Sequence, residues 1–295
     1  MADDVKKSQL EINLPRSPEK DRNYHLGGRS FYFFDFDDNI AFLTTPLVLF
    51  HKENGTELVI STGDYGQVHP QIGKAGPYEI YEIRDLDRNG TFRNFRDHEA
   101  EVLSGLGKNR QFFIEDVAAI LNLPDFNWKG PSWECFYHAT FNQRPVSLIT
   151  ARGHHPETLK AGVREFVVQK WLPMEPNYLS IFPVSHQPTR HLLGDQGLVM
   201  GIAELKQRAI RASVEEAIKT YGHNPHHRFG MSDDDPRNIQ LIVEEMTRLK
   251  SSYPDMSFFM IETHKGNFIK HEVTLSGLRS EQLQSASQLS LFEDR

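Results

Sequence analysis

Five short runs of apolar, β-favouring residues punctuate the chain: Ser30–Phe36 (SFYFFDF), Val146–Thr150 (VSLIT), Tyr178–Val184 (YLSIFPV), Arg228–Ser232 (RFGMS) and Ser257–Glu262 (SFFMIE). Runs this short and this continuously apolar are what strands buried on both faces require. Helical patterns lie between them. One spans Pro156–Trp171 and opens on a proline, which suits the first helical turn. A second spans Ile202–Tyr221 and stops at Gly222, a natural C-terminal cap. A third covers Pro236–Lys250. Strands alternating with helices predict an α/β, Rossmann-like domain: a parallel sheet of about five strands with helices on both faces. In such sheets ligands sit at the carboxyl ends of the strands.

The stretch between the first two strands breaks this rhythm. Val48–His51 and Leu58–Ser61 flank the turn Glu53-Asn54-Gly55-Thr56, a hairpin signal, and helical patterns follow near Phe112–Leu121 and Trp133–Phe141. The chain therefore divides into an N-terminal arm (1–28), a core (29–50 and 141–272), an inserted mixed α+β cap or lid (51–140) and a polar C-terminal tail (273–295). An insertion of this length is expected to carry specificity. The arm, charged and containing Pro15 and Pro18, is expected to be flexible.

Composition removes several classes. No apolar run approaches the roughly 18 residues of a membrane span, and the first residues lack the apolar core of a signal peptide. A single cysteine, Cys135, allows no internal disulfide. Together these favour a cytoplasmic protein with no membrane partner. The net charge of −7 gives no overall attraction for nucleic acid.

Chemistry collects at three strand ends. The first run finishes in Asp35-Phe36-Asp37-Asp38-Asn39. Two carboxylates two residues apart can divide the work of a nucleophile and a general acid/base. A cation must accompany them, since like charges repel each other and an anionic substrate. On its own, D-x-D is also an ordinary acidic strand-to-loop turn. The second run ends in Thr150-Ala151-Arg152-Gly153, where a hydroxyl and main-chain N–H groups can hold a phosphoryl oxygen, or merely cap a helix. The fourth ends in Ser232-Asp233-Asp234-Asp235-Pro236-Arg237-Asn238. Three consecutive acids exceed what a helix start needs, and hard oxygen ligands suit Mg²⁺.

In chain order these motifs resemble those of the haloacid dehalogenase (HAD) superfamily: D-x-D, then a Thr or Ser, then a Lys or Arg, then DD-x-x-x-N. The resemblance covers roughly residues 30–50 and 144–263 and leaves the insertion aside. It implies a Mg²⁺-dependent phosphatase acting through an aspartyl-phosphate. Asp35 would be the nucleophile and Asp37 the general acid/base, with its carbonyl on the metal. Thr150, with Ala151 and Arg152, would hold the phosphoryl group. Asp234 would ligate the metal alongside Asp35, with Asp233 and Asn238 assisting. For the family's basic residue the choice is Lys206, with Arg208 and Lys219 as rivals. Asn39 departs from the Thr or Val that many members carry there. A phosphotransferase or phosphomutase with the same intermediate is the alternative. The substrate would be a phosphorylated small molecule or a phosphorylated nucleic-acid end.

Weaker signals remain. Asp85-Leu86-Asp87-Arg88-Asn89-Gly90 begins like a calcium loop but has Arg96 where that loop needs Glu, so a turn is the better reading. His154 and His155 are expected near the pocket mouth or before the following helix, and His223, His226 and His227 in a loop. Trp128, Trp133 and Trp171 are expected to pack. In the tail, Gln288-Leu289-Ser290-Leu291-Phe292 resembles the pentapeptide by which bacterial DNA-repair proteins dock on the sliding clamp. That implies a clamp partner held by Gln288, Leu289, Leu291 and Phe292, and a polynucleotide end phosphatase as one possible activity. A tail that packs these residues on its own domain is the simpler alternative.

Overall fold

The structure is a computed structural model that describes residues 17–85, 88–263 and 268–283. Its strands are β1 (Ser30–Phe34), β2 (Leu47–His51), β3 (Glu57–Ile60), β4 (Tyr81–Glu82), β5 (Pro145–Thr150), β6 (Asn177–Pro183), β7 (Arg228–Asp233), β8 (Ser257–Glu262), β9 (Phe268–Thr274) and β10 (Gly277–Leu283). Its α-helices are α1 (Thr62–Val68), α2 (Ala100–Gly105), α3 (Phe112–Ile120), α4 (Asp125–Trp128), α5 (Trp133–Phe141), α6 (Pro156–Val168), α7 (Gln187–Leu192), α8 (Ile202–Tyr221) and α9 (Pro236–Ser252).

Seven strands form one sheet in the order β10-β9-β8-β7-β1-β5-β6. The strands from β6 to β8 run parallel, and β9 and β10 add an antiparallel edge. The chain moves outward from β1 through β5 to β6, then crosses back to β7 and β8 on the other side of β1. Strand order therefore reverses at β1, which is where an open α/β sheet makes a crevice at its carboxyl ends.

Alternation along the strands sorts the core into two layers. Tyr32, Phe34, Val146, Leu148, Phe259 and Ile261 face one side, where they meet Phe113 and Val117 of α3, Phe136 of α5 and Leu159, Val163 and Phe166 of α6. Phe31, Phe33, Ile149, Phe229, Met231, Phe258 and Met260 face the other, against α8 and α9. β1 is buried along its whole length, as a strand with helices on both faces must be.

Two boundaries differ from the sequence reading. The region 51–140 is divided. Residues around the three-stranded sheet β3-β2-β4 keep a small core of their own, with Leu47, Leu49, Ile60 and Ile72 at its centre. α3 and α5, by contrast, cover the main sheet. Their apolar stripes signal a buried face without saying which surface buries it. The second difference is at the edge. Residues 273–283, read as the start of the tail, complete the hairpin β9–β10, paired from Phe268↔Leu283 to Thr274↔Gly277. This edge alternates apolar with charged residues (Lys270, Glu272, Arg279, Glu281), a habit of edge strands that weakens their apolar signal.

Part of the expected arm is also anchored. Asp21 accepts the Ser30 N–H at 3.1 Å and pairs with Arg144 at 2.9 Å. Gly28 lies so close to the His226 carbonyl that a Cβ would collide with it. Residues 1–16 and the pentapeptide 288–292 lie outside the described residues. Among the described residues no helix is long and apolar enough to cross a membrane.

Gly162 of α6 faces the Phe113 ring of α3, and a Cβ at this position would overlap that ring. Alanine normally stabilises a helix interior by about 1 kcal/mol over glycine. Here overpacking, at about 1–3 kcal/mol, reverses the sign. Gly162→Ala is expected to lower the urea midpoint, and Gly162→Ala with Phe113→Leu to regain part of the loss. An unchanged or higher midpoint for the single variant would contradict this packing of α3 on α6.

Candidate active site at the carboxyl ends of the sheet

Strand parity decides which side chains meet. Asp35, directly after β1, continues the side of Phe31 and Phe33. Asp233, at the end of β7, continues the side of Phe229 and Met231. Both therefore point toward the α8 layer, and the second turn of α8 presents Lys206 to them. Its ammonium lies 2.7 Å from Asp233 Oδ2 and 3.2 Å from Asp35 Oδ1. The lysine is fully buried. The longer contact is an ion pair without hydrogen-bond alignment, so Asp35 Oδ1 has no hydrogen-bond donor. The rivals are elsewhere: Arg208 binds the Leu193 carbonyl at 3.1 Å, and Lys219 pairs with Glu216 at the surface.

Asp233 is held by several donors. Besides Lys206, it accepts the Asp235 N–H at 3.0 Å and the Asn238 amide at 3.2 Å. Asp234 is half-buried. One oxygen from each of Asp35, Asp233 and Asp234 lies within 4.8 Å of the others, a set of hard donors that a small divalent cation fits. Asn238 reaches Asp233 and so supports this set from behind.

The electrostatics follow from crowding acids in a dry place. Burial pushes the Asp35 carboxyl well above its usual range. Asp233, Asp234 and Asp37 push it further, against the pull of Lys206. Asp234 is raised to about 7, first by burial and then by Asp233. Asp38 is raised to about 6 by burial and by Asp37, with Arg152 and a hydrogen bond from Thr62 opposing. For Lys206, burial favours the neutral amine, but the carboxylates of Asp233 and Asp35 outweigh it and raise its pKa.

A second group surrounds Asp37. Arg152 grips its carboxylate with two nitrogens, Nη2 at 2.6 Å and Nε at 2.9 Å. Thr150 donates to the same carboxylate at 3.4 Å. Arg152, expected to bind substrate, is turned inward: it is fully buried, its guanidinium lying between the rings of Phe95 and Phe113 at 4.6 and 4.8 Å. Thr150 is buried at the end of β5, and Ala151 is exposed. His154 is buried beside Phe113 and neither ring nitrogen has a hydrogen-bond partner. Burial and the nearby Arg152 charge hold its pKa well below the usual value.

Asn39 joins the loops. Its amide nitrogen donates to the Asp35 carbonyl, the Ser232 carbonyl and Ser232 Oγ at 3.2, 3.1 and 2.9 Å. Its oxygen accepts from Ser132 and Thr263 at 2.7 and 3.1 Å. Nothing in the local sequence announces this role, because its partners come from four separate segments. The small sheet's segment touches the same end of the main sheet: Thr62 bonds Asp38, the Phe95 carbonyl accepts the Gly153 N–H at 2.7 Å, and Asp97 accepts the His155 N–H at 2.9 Å. Of the weaker signals, Leu86 and Asp87 lie outside the described residues. Arg84 and Thr91 around them bond to each other through the main chain at 3.0 Å, as across a turn. Trp128 and Trp133 are core residues.

Comparison of the chain with protein-family models, with curated proteins and with solved structures gave no match.

Asp35, Asp38 and Asp234 hold protons more tightly in the folded protein than in the unfolded chain, where Asp titrates at about 4. Their folded pKa values are raised, so their contribution to stability is full below about pH 4 and is lost as pH rises, through about 6 for Asp38 and about 7 for Asp234. A cation held by Asp35 and Asp234 would remove their share of that loss. Mg²⁺ is therefore expected to raise the melting temperature more at pH 7.5 than at pH 5, a ligand at roughly a hundredfold excess over its Kd stabilising the folded state by about 2.7 kcal/mol. Identical melting in Mg²⁺ and EDTA at both pH values would exclude the metal site.

Proposed function

We propose that the protein is a Mg²⁺-dependent phosphomonoester hydrolase working through an aspartyl-phosphate on Asp35, as its resemblance to the HAD superfamily implies. The observation that carries this reading is the buried Lys206 between Asp35 and Asp233, with Asp234 alongside. Three acids and one ammonium leave an excess of negative charge that a divalent cation balances. When bound by Asp35, Asp233 and Asp234, the metal supplies positive charge for a phosphate ester next to the carboxylates.

The protein's own groups account for the rest. A carboxylate oxygen of Asp35 attacks phosphorus, the P–O bond to the leaving group breaks, and Asp37 gives that oxygen its proton. Asp37 then takes a proton from the water that attacks the aspartyl-phosphate, which regenerates Asp35 and releases inorganic phosphate. Lys206 holds Asp35 in place and offsets charge on the phosphoryl oxygens. Thr150 and the main chain after it lie on the Asp37 side, where they can orient those oxygens. The segment of the small sheet, meeting Asp38 and Gly153 at the mouth, is the part that would choose among substrates.

Phosphate release from an aryl phosphate is expected with Mg²⁺ and not with EDTA, and Asp35→Asn is expected to lower it by several orders of magnitude. A panel of esters, including DNA phosphorylated at its 3′ or 5′ end, would identify the preferred class. Turnover that survives EDTA or Asp35→Asn would overturn the mechanism.

A further inference from the structure

We infer that Arg152 is the positioning residue of the acid/base carboxylate: it acts on Asp37 and not on substrate, and Thr45 and Asp116 fix it in turn. This rests on the reading of Asp37 as the proton donor given above.

Asp37 lies beyond the end of β1, immediately before Asp38, which adopts a left-handed backbone conformation (φ 57°). The Asp38 N–H bonds the Ala41 carbonyl at 3.0 Å, so the main chain here is fixed. The Asp37 side chain is a separate matter, since its own torsions could still carry the carboxylate away from a leaving group. The fork of Arg152 removes that freedom, binding both carboxylate oxygens. Displacement of a catalytic group by about 1 Å can cost about 10² in rate.

The fork is itself held from three directions. Its two faces are covered by Phe95 and Phe113. Its Nη2 also donates to Thr45 Oγ1 at 2.7 Å. The Thr45 hydroxyl in turn donates to Asp116, which also accepts the Thr44 N–H at 3.2 Å and the Thr44 hydroxyl at 2.5 Å. Phe113 and Asp116 stand three residues apart on α3, so they project from adjacent turns of one helix face. One helix thus supplies both a ring against the guanidinium and the carboxylate that ends the chain of bonds. To reach a substrate through Nε or Nη2, Arg152 would have to leave this setting, giving up two rings, a carboxylate and a hydroxyl; its Nη1 is buried and has no hydrogen-bond partner.

The planar fork cannot be copied by an ammonium, so Arg152→Lys keeps the charge and removes the geometry. Thr45→Val is the milder companion: it removes the hydroxyl that joins Arg152 Nη2 to Asp116 and leaves the fork on Asp37 in place, and it keeps the question open to test if Arg152→Lys fails to fold. Proton donation matters most when the leaving group is a poor one. With the full chain and Mg²⁺, Arg152→Lys is expected to lower kcat on an alkyl phosphate by about 10²-fold, within the range of general acid catalysis, and by under about 10-fold on nitrophenyl phosphate. KM should stay within about twofold on both, and Arg152→Lys should add no further loss in an Asp37→Asn background. Thr45→Val should show the same preference for the aryl ester to a smaller degree. Equal losses on the two esters, or a loss carried by KM, would overturn the proposal. A crystal structure of Arg152→Lys gives a reading that needs no turnover: the Asp37 carboxylate is expected to leave its present place, and an unmoved carboxylate would refute positioning. If the unaltered protein hydrolyses no ester with Mg²⁺, the phosphatase reading falls, and the crystallographic result still decides whether Arg152 holds Asp37.

Discussion

An ammonium with no access to solvent sits between two carboxylates at the centre of this sheet, and the arrangement around it follows from that contact. Lys206 cannot be buried as a charge without partners, nor can Asp35 and Asp233 be brought this close without a cation. Each makes the others tolerable. Removing one partner of such a buried pair typically costs about 3–5 kcal/mol, because the remaining charge is stranded. The contact also ties α8 to β1 and β7, across the crossover where strand order reverses. The same bond that neutralises the site thereby locates a helix against the sheet.

The two halves of the site are built by different means. On the side of Lys206, strand parity and one helix bring the acids together, with negative charge in excess. On the side of Asp37, aromatic rings and a hydroxyl relay hold a guanidinium that holds a carboxylate. The first half belongs to the main sheet throughout. The second draws on both modules, since Phe95 precedes α2 while Phe113 and Asp116 belong to the helix that covers the sheet. Any change that shifts the small sheet relative to α3 is felt first at Arg152.

The central strands were legible because they are buried on both faces and so carry unbroken apolar runs such as FYFF and FFMI. The hairpin β9–β10 was not, because an edge strand that alternates Lys, Glu and Arg with apolar residues looks like a polar tail. α3 and α5 were recognisable as helices, yet amphipathicity does not reveal which surface a stripe will cover. The same division holds for the site. Asp35, Asp233 and Lys206 could be picked out because strand ends and a helix start constrain where their side chains go. The inward turn of Arg152 could not, since it depends on Phe95 and Phe113, which adjoin it only after folding. Asn39 read as a mere departure from a pattern, and three of its four partners lie at distant positions.

That single asparagine has a consequence for how the molecule comes apart. Its amide bonds to the turn after β1, to the end of β7, to Thr263 just beyond β8 and to Ser132 ahead of α5. Gly130 packs directly on its main chain, too close for any side chain. Opening one of these loops leaves buried donors and acceptors unmatched in the others, at about 1–3 kcal/mol each. Local fluctuations that would free one loop are therefore suppressed until all of them are released. The rim of the sheet is thus expected to open as one cooperative unit on the timescale of amide exchange, although it is assembled from pieces of chain more than two hundred residues apart.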